Sequence, residues 1–140
     1  MTRCVLDSSV ALAWVLPGEG TDATDIVLDE IAADGAAAPG LWPLEIANVL
    51  LQVEKARRIT QEERRRALIT LAALPVHIDP DTASQAWSRT LALAEAQGLT
   101  LYDASYLELA LRLALPLASL DRKLRQAAAT SAVELLGAAG

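Results

Sequence analysis

Short unbroken apolar runs and longer stripes with helical spacing alternate along this chain. Cys4-Val5-Leu6-Asp7 reads as a buried strand that ends in a carboxylate, and Ser8-Ser9 caps an apolar helix over 10–16. Pro17-Gly18 stops that helix. Ala23, Ile26, Val27 and Ile31 share one helical face, which predicts a helix over 21–33 with Gly35 just beyond its end. Residues 36–39 form a weak second strand. Pro43 opens a long helix predicted to reach Arg58, with Ile46, Val49, Leu50 and Val53 as its apolar stripe. That stripe is a candidate dimer face. Thr60-Gln61-Glu62-Glu63 has capping-box spacing and starts another helix, to about Leu74.

The second half repeats the alternation. Residues 75–79 read as a third strand, and Pro80-Asp81-Thr82 turns it into a helix over 82–97 closed by Gly98. The stretch 102–113 is apolar almost all round and predicts a central buried helix. Residues 116–120 form a fourth strand before Asp121, a helix follows over 122–129, and 132–136 supplies a last edge strand. No hairpin signal such as Asn-Gly interrupts the series. Such alternation specifies an α/β fold, a parallel central sheet of four to five short strands flanked by helices on both faces.

Composition narrows the class. Of 140 residues, 53% are hydrophobic and 21% charged, which excludes a disordered chain. The lone Cys4 cannot form an internal disulfide, so a stapled secreted scaffold is excluded. No apolar run approaches the ~20 residues that span a bilayer, and Asp7 comes too early for a signal-peptide core. The expectation is a single soluble cytoplasmic domain over 1–140, with no membrane partner. Twelve Lys and Arg against 18 Asp and Glu leave a net charge of −6. That balance argues against blanket phosphate neutralisation, but not against an enzyme that meets nucleic acid through bound metal, whose charge the sequence does not count. The one basic patch, Lys55, Arg57, Arg58, Arg64, Arg65 and Arg66, reads first as a solvated helix face and turn.

Several chemistries have no residues to work with. There is no phosphate-binding glycine loop, no His-Glu-x-x-His and no Cys-x-x-Cys. His77 and Cys4 both lie inside apolar strands, where packing explains them better than ligation or nucleophilic attack. Carboxylates at strand ends and helix starts remain: Asp7, Glu45, Asp103 and Asp121. Each alone is explained by helix capping. Jointly they are not, because the strand C-termini of a parallel sheet share one edge and the following helices begin there. Converging carboxylates repel unless a divalent cation compensates them, and an all-oxygen set suits Mg²⁺ or Mn²⁺ rather than Zn²⁺. Asp79 also ends a strand, and this reasoning leaves its place in the pocket open.

Four segments now stand out in order: Val5-Leu-Asp-Ser-Ser-Val10, Pro43-Leu-Glu-Ile-Ala-Asn-Val-Leu50, Leu101-Tyr-Asp-Ala-Ser-Tyr-Leu-Glu-Leu-Ala110 and Leu117-Ala-Ser-Leu-Asp-Arg-Lys-Leu124. In order and spacing they resemble the motifs of PIN-domain ribonucleases, in particular the VapC-type toxins of bacterial toxin–antitoxin pairs. The resemblance covers essentially the whole chain. It implies a PIN-like α/β/α sandwich and a Mg²⁺- or Mn²⁺-dependent endoribonuclease. Carried over by position, Asp7 and Asp103 would be the principal metal ligands, completed by Asp121 and Glu45 directly or through water. Ser9 would hold the first carboxylate or a metal water, and Asn48 would support Glu45. Asp79 matches no site residue of the family. Arg122 could steady a phosphate, and Trp42 or Trp14 could stack a base, although core packing also explains both rings. The resemblance further implies RNA as substrate, a small antitoxin over the site, and a homodimer. The other readings are a catalytically silent PIN-like RNA-binding or scaffold module, and a phosphatase or DNA nuclease using the same acids.

Overall fold

The computed structural model describes residues 2–138. Five strands, β1 (Cys4–Leu6), β2 (Ala36–Ala38), β3 (Val76–Ile78), β4 (Leu117–Ala118) and β5 (Leu135–Leu136), form one sheet in the order β3-β2-β1-β4-β5. Every pairing is parallel, with Cys4 opposite Ala36, Val5 opposite Leu117 and Ala37 opposite His77. The apolar run of β1 lies at the centre of the sheet and is wholly buried, as a strand covered on both faces must be.

Eight α-helices lie between or after the strands among the described residues: α1 (Ser8–Val15), α2 (Asp22–Asp34), α3 (Trp42–Lys55), α4 (Gln61–Ala72), α5 (Thr82–Gln85), α6 (Leu91–Gln97), α7 (Leu101–Leu113) and α8 (Arg122–Thr130). Local chemistry sets several of their ends. The Thr60 hydroxyl accepts from the Glu63 amide at 3.1 Å while the Glu63 carboxylate accepts from the Thr60 amide at 3.0 Å, the reciprocal cap the spacing predicts. α7 is buried from Ala104 through Ala110, and its neighbours β1, β4, α6 and α8 enclose it. The predicted central helix is therefore the hub of the core.

Four expectations need correction. The helix expected over 82–97 is interrupted by a π-helical segment, Ala86–Thr90, for which no residue pattern gives a signal. α3 stops at Lys55 rather than Arg58, because Arg57 takes a left-handed backbone with φ of 61°. The α3 stripe is not left over for a dimer face: Ile46, Leu50 and Val53 are buried in this chain's own core and Val49 is half-buried. His77, expected within an apolar strand, is exposed on the edge strand β3. Cys4 is buried, and desolvation pushes its thiol up to about 12, which suits packing rather than nucleophilic chemistry. In the basic patch, Arg66 pairs with Glu62 on a solvated face, while Arg64 makes a half-buried pair with Glu54.

One glycine is demanded by the backbone. Gly35 ends α2 at φ of 84° and ψ of 171°, a region closed to residues with a side chain, and an added Cβ would meet the Pro75 carbonyl at 3.2 Å. Gly35→Ala is expected to lower the unfolding free energy by about 2 kcal/mol, read as a lower urea midpoint. An unchanged midpoint would mean that the turn relaxes freely.

Candidate active site at the strand ends

From β1 the chain moves outward through β2 to β3, then returns to the other side of β1 for β4 and β5. Connections therefore leave β1 and β4 in opposite directions. The crevice outside the carboxyl ends of these two strands is the topological switch point, the usual ligand position in an open parallel sheet. Asp7 follows β1 and Asp121 follows β4, so the reversal of strand order places them on either side of that crevice.

Asp7 holds the N-cap position of α1 and yet its side chain caps no backbone N–H of the helix. It is only 5% exposed. Two hydroxyls converge on its Oδ2, Ser9 Oγ at 2.6 Å and Ser119 Oγ at 2.8 Å. Among the described residues Oδ1 receives no hydrogen bond, so one oxygen is fixed and the other is free to ligate. The serines are anchored in turn: Ser9 Oγ accepts from the Leu120 amide at 2.9 Å and Ser119 Oγ from the Asp121 amide at 3.0 Å. These bonds tie the ends of β1 and β4 together around a single carboxylate. Ser119 was not singled out from the sequence; its position two residues before Asp121 is the only signal for it.

The other acids approach from the helices. Pro43 near the start of α3 puts Glu45 in the first turn, where its Oε1 accepts from the phenol of Tyr106 and, at 3.4 Å, from Ser8 Oγ. Tyr106 is fully buried on α7, one turn beyond Asp103, and sequence reasoning missed it as a site residue. Thr100 caps α7 by accepting from the Asp103 amide at 3.1 Å. Asp121 alone behaves as an ordinary cap, its Oδ1 accepting from the Leu124 amide at 2.9 Å.

Electrostatics show that these groups share one environment. Burial lifts the Asp7 carboxyl above its usual range, Ser9 and Ser119 pull it back, and the charges of Glu45 and Asp121 lift it again. Glu45 is raised by burial against the Tyr106 hydrogen bond, with the charge of Asp103 adding to the rise. Asp103 is raised by burial and by the charges of Asp121 and Asp7, with Thr100 and Lys123 opposing. No Arg or Lys forms an ion pair with any of the four among the described residues. Nor do three such side chains stand close enough together to enclose a metal among those residues. The acids nevertheless sense one another's charge.

Asp79 shows the contrast. It also follows a strand and is buried, but Arg112 clamps it with two bonds of 3.1 and 2.6 Å, and its carboxyl is held below the ordinary value mainly by that partner. Arg112 binds the buried Glu108 as well, at 2.9 Å. This is a satisfied ion network and leaves no free ligand. A cavity of about 450 Å³ opens beside it, lined by Arg89, Leu93, Glu108 and Arg112 among others, but none of the four site acids reaches it.

The remaining sequence candidates divide. Arg122 is exposed at the first position of α8, next to Asp121. Asn48 is exposed one turn beyond Glu45 and bonds none of the acids among the described residues. Trp42 is only 7% exposed and packed in the core, so as placed it offers no face to a base. Trp14 is half-buried, its indole donating to the Thr24 carbonyl at 2.8 Å.

Comparison with known proteins decides the family. The model of the PIN domain matches residues 4–130. The chain belongs to the PIN domain family. PIN domains are in general nucleases, and a set of oxygen ligands with no histidine or thiol fits that chemistry. A search of curated proteins finds no match. Solved structures with this PIN fold include PAE2754 from Pyrobaculum aerophilum, 23% identical with a TM-score of 0.64, over 90% of this chain and 84% of that one. A toxin–antitoxin complex from Klebsiella pneumoniae is 18% identical with a TM-score of 0.56, over 85% and 87%. FitAcB from Neisseria gonorrhoeae is 14% identical with a TM-score of 0.64, over 94% of each chain. No helix of the described PIN domain is long and apolar enough to cross a membrane.

Within this PIN domain the Tyr106–Glu45 bond is open to a direct test. Tyr106→Phe removes one donor from a half-buried carboxylate and leaves the ring packing intact. Nuclease activity is expected to fall about tenfold, equal to the ~1.4 kcal/mol of a hydrogen bond to a charged group, with the melting temperature within a few degrees of the parent. Unchanged activity would make the bond purely structural.

Proposed function

We propose that this PIN domain is a divalent-metal-dependent endoribonuclease acting as the toxin of a type II toxin–antitoxin pair in the cytoplasm. The observation that carries the reading is a set of carboxylates at the switch point of a PIN fold, Asp7 buried and Glu45 and Asp103 half-buried, none of them in an ion pair among the described residues. Asp7 and Asp103 would hold Mg²⁺ or Mn²⁺, with Glu45 and Asp121 completing the site directly or through water. When bound, the cation supplies Lewis acidity toward the attacking water and toward the charge that builds on the phosphate.

The chain's own residues do the positioning. Ser9 and Ser119 donate to Asp7 Oδ2, which favours the ionised form and leaves Oδ1 without a hydrogen bond among the described residues. The Tyr106 phenol aims Glu45. Arg122 and Lys123, the first residues of α8, carry positive charge beside Asp121 where a phosphate would lie. Hydrolysis by water leaves a 5′-phosphate and a 3′-hydroxyl, and no covalent intermediate on the chain is needed.

One structure of the same fold comes from a toxin–antitoxin complex, which supports a small antitoxin as partner. Homodimerisation belongs to the same reading. The test is cleavage of a mixed RNA pool with Mn²⁺, Mg²⁺ or EDTA, beside single-stranded DNA and phosphomonoester controls. Metal-dependent cuts in RNA alone are expected. Turnover of DNA or phosphomonoesters instead would change the substrate class, and no turnover by folded, antitoxin-free protein would favour a catalytically silent binding module.

A further inference from the structure

This chain has five aromatic residues, three Trp and two Tyr, with no Phe. Trp42 and Tyr106 are buried, and Trp14 is half-buried and bonded to a backbone carbonyl. Two rings are exposed, Trp87 in the π-helical segment and Tyr102 in the first turn of α7. Tyr102 is 66% exposed and directly precedes Asp103.

Its position on the helix is informative. Tyr102 and Tyr106 are four residues apart and share one face of α7, and side chains on a helix lean toward its N-terminus. Tyr106 reaches Glu45 from that face. Tyr102 therefore stands one turn further out, at the mouth of the same site, on the α3 side of Asp103. α8 follows β4, across β1 from β2 and α3, so its Lys123 stands on the opposite flank, where its charge acts on Asp103. Lys123 also lines a polar pocket of about 280 Å³ with Gln97, Gly98, Gln126 and Thr130.

An exposed ring on one flank and an exposed ammonium, unpaired among the described residues, on the other is the pairing that single-stranded nucleic acid uses. Bases stack on the ring, and the phosphate meets the cation. Core packing does not account for Tyr102, because most of its surface is in water.

We propose that Tyr102 is the base-stacking platform of the substrate strand, with Lys123 taking a phosphate on the opposite lip, so that single-stranded RNA crosses the carboxylates between them. This rests on the ribonuclease reading and assigns the residues that position its substrate. The ring acts on the base and not on the reacting phosphate, which makes Tyr102 a positioning residue.

The experiment measures binding apart from turnover. A fluorescein-labelled ten-nucleotide RNA of mixed sequence is titrated with Asp7→Asn protein in Mg²⁺, followed by anisotropy across a salt series. Adding Tyr102→Ala is expected to raise Kd about tenfold or more, within the 1–3 kcal/mol range of base–aromatic stacking. Tyr102→Phe should stay within twofold, because the ring is kept. Adding Lys123→Gln should flatten the slope of log Kd against log salt by about one.

Tyr102→Ala binding within twofold of the parent, or Tyr102→Phe as weak as Tyr102→Ala, would overturn the platform. An unchanged salt slope in Lys123→Gln would overturn the phosphate contact, and with it the crossing path. RNA cut by the wild type but bound equally well without the ring would remove the platform and leave the nuclease. RNA bound through the ring but never cut by the wild type would do the reverse, and neither binding nor cutting by the wild type would remove both.

Discussion

Asp7→Asn protein is expected to lose metal-dependent RNA cleavage by on the order of a thousandfold, about 4 kcal/mol of transition-state stabilisation. The substitution keeps the shape of the side chain and removes the charge. Its amide oxygen can still accept from Ser9 and Ser119, whose hydroxyls now meet at Oδ2 from 2.6 and 2.8 Å, so the ends of β1 and β4 stay joined. The variant should therefore fold, and its metal-free melting temperature at pH 7 should equal or exceed that of the parent, because a buried, uncompensated charge is gone. Cleavage assays and thermal melts on the same preparations check both halves. Retained turnover would remove Asp7 from the metal site; a collapsed melt would show that the charge itself holds the strand ends.

Divalent metal is expected to stabilise the protein more at pH 7 than at pH 5. Asp7, Glu45 and Asp103 all have carboxyls raised above their usual range, first by burial. A group with a raised folded pKa contributes stability that is complete below its unfolded value, roughly 4, and lost as pH rises through the folded value. Metal-free protein should thus melt lower at pH 7 than at pH 5. A cation bound to the ionised carboxylates reverses that loss. At a hundredfold excess over Kd the linkage is worth about 2.7 kcal/mol, or roughly 8 °C for a chain of this size.

Asp79 runs the other way. Its carboxyl is lowered by Arg112, so its contribution is present above the ordinary carboxylate range and lost only on further acidification. Differential scanning fluorimetry at the two pH values, with Mg²⁺, Mn²⁺ or EDTA, reads the effect directly. The same metal-induced shift in Asp7→Asn, or none in the parent at pH 7, would dissolve the link between the acids and the cation.

Much of this site is legible in the sequence because each acid sits at a punctuation mark of the chain. Asp7 and Asp121 follow apolar strand runs, Glu45 follows a helix-opening Pro43, and Asp103 follows the Thr100 cap of the most apolar helix. Local signals of this kind depend on neighbours one to four residues away, which pattern reasoning sees. Ser119 and Tyr106 escaped it because their partners lie 112 and 61 residues distant. Trp42 was left between a base contact and core packing by its nearness to Glu45 in sequence, and the helix turned the ring into the core.

By itself, then, the sequence determined the alternation of strands and helices, the parallel sheet that alternation requires, the buried central helix and the four acids at the element boundaries. Those features follow from periodicity and capping, which act over a few residues. Tertiary structure alone decided three things: that Asp79 is neutralised by Arg112 while Asp7 is left to two serines, that Tyr106 aims Glu45, and that Tyr102 rather than Trp42 faces solvent beside the site. Burial and pairing decide whether a carboxylate is a structural ion or an open ligand, and both are set by residues that meet only when the sheet closes.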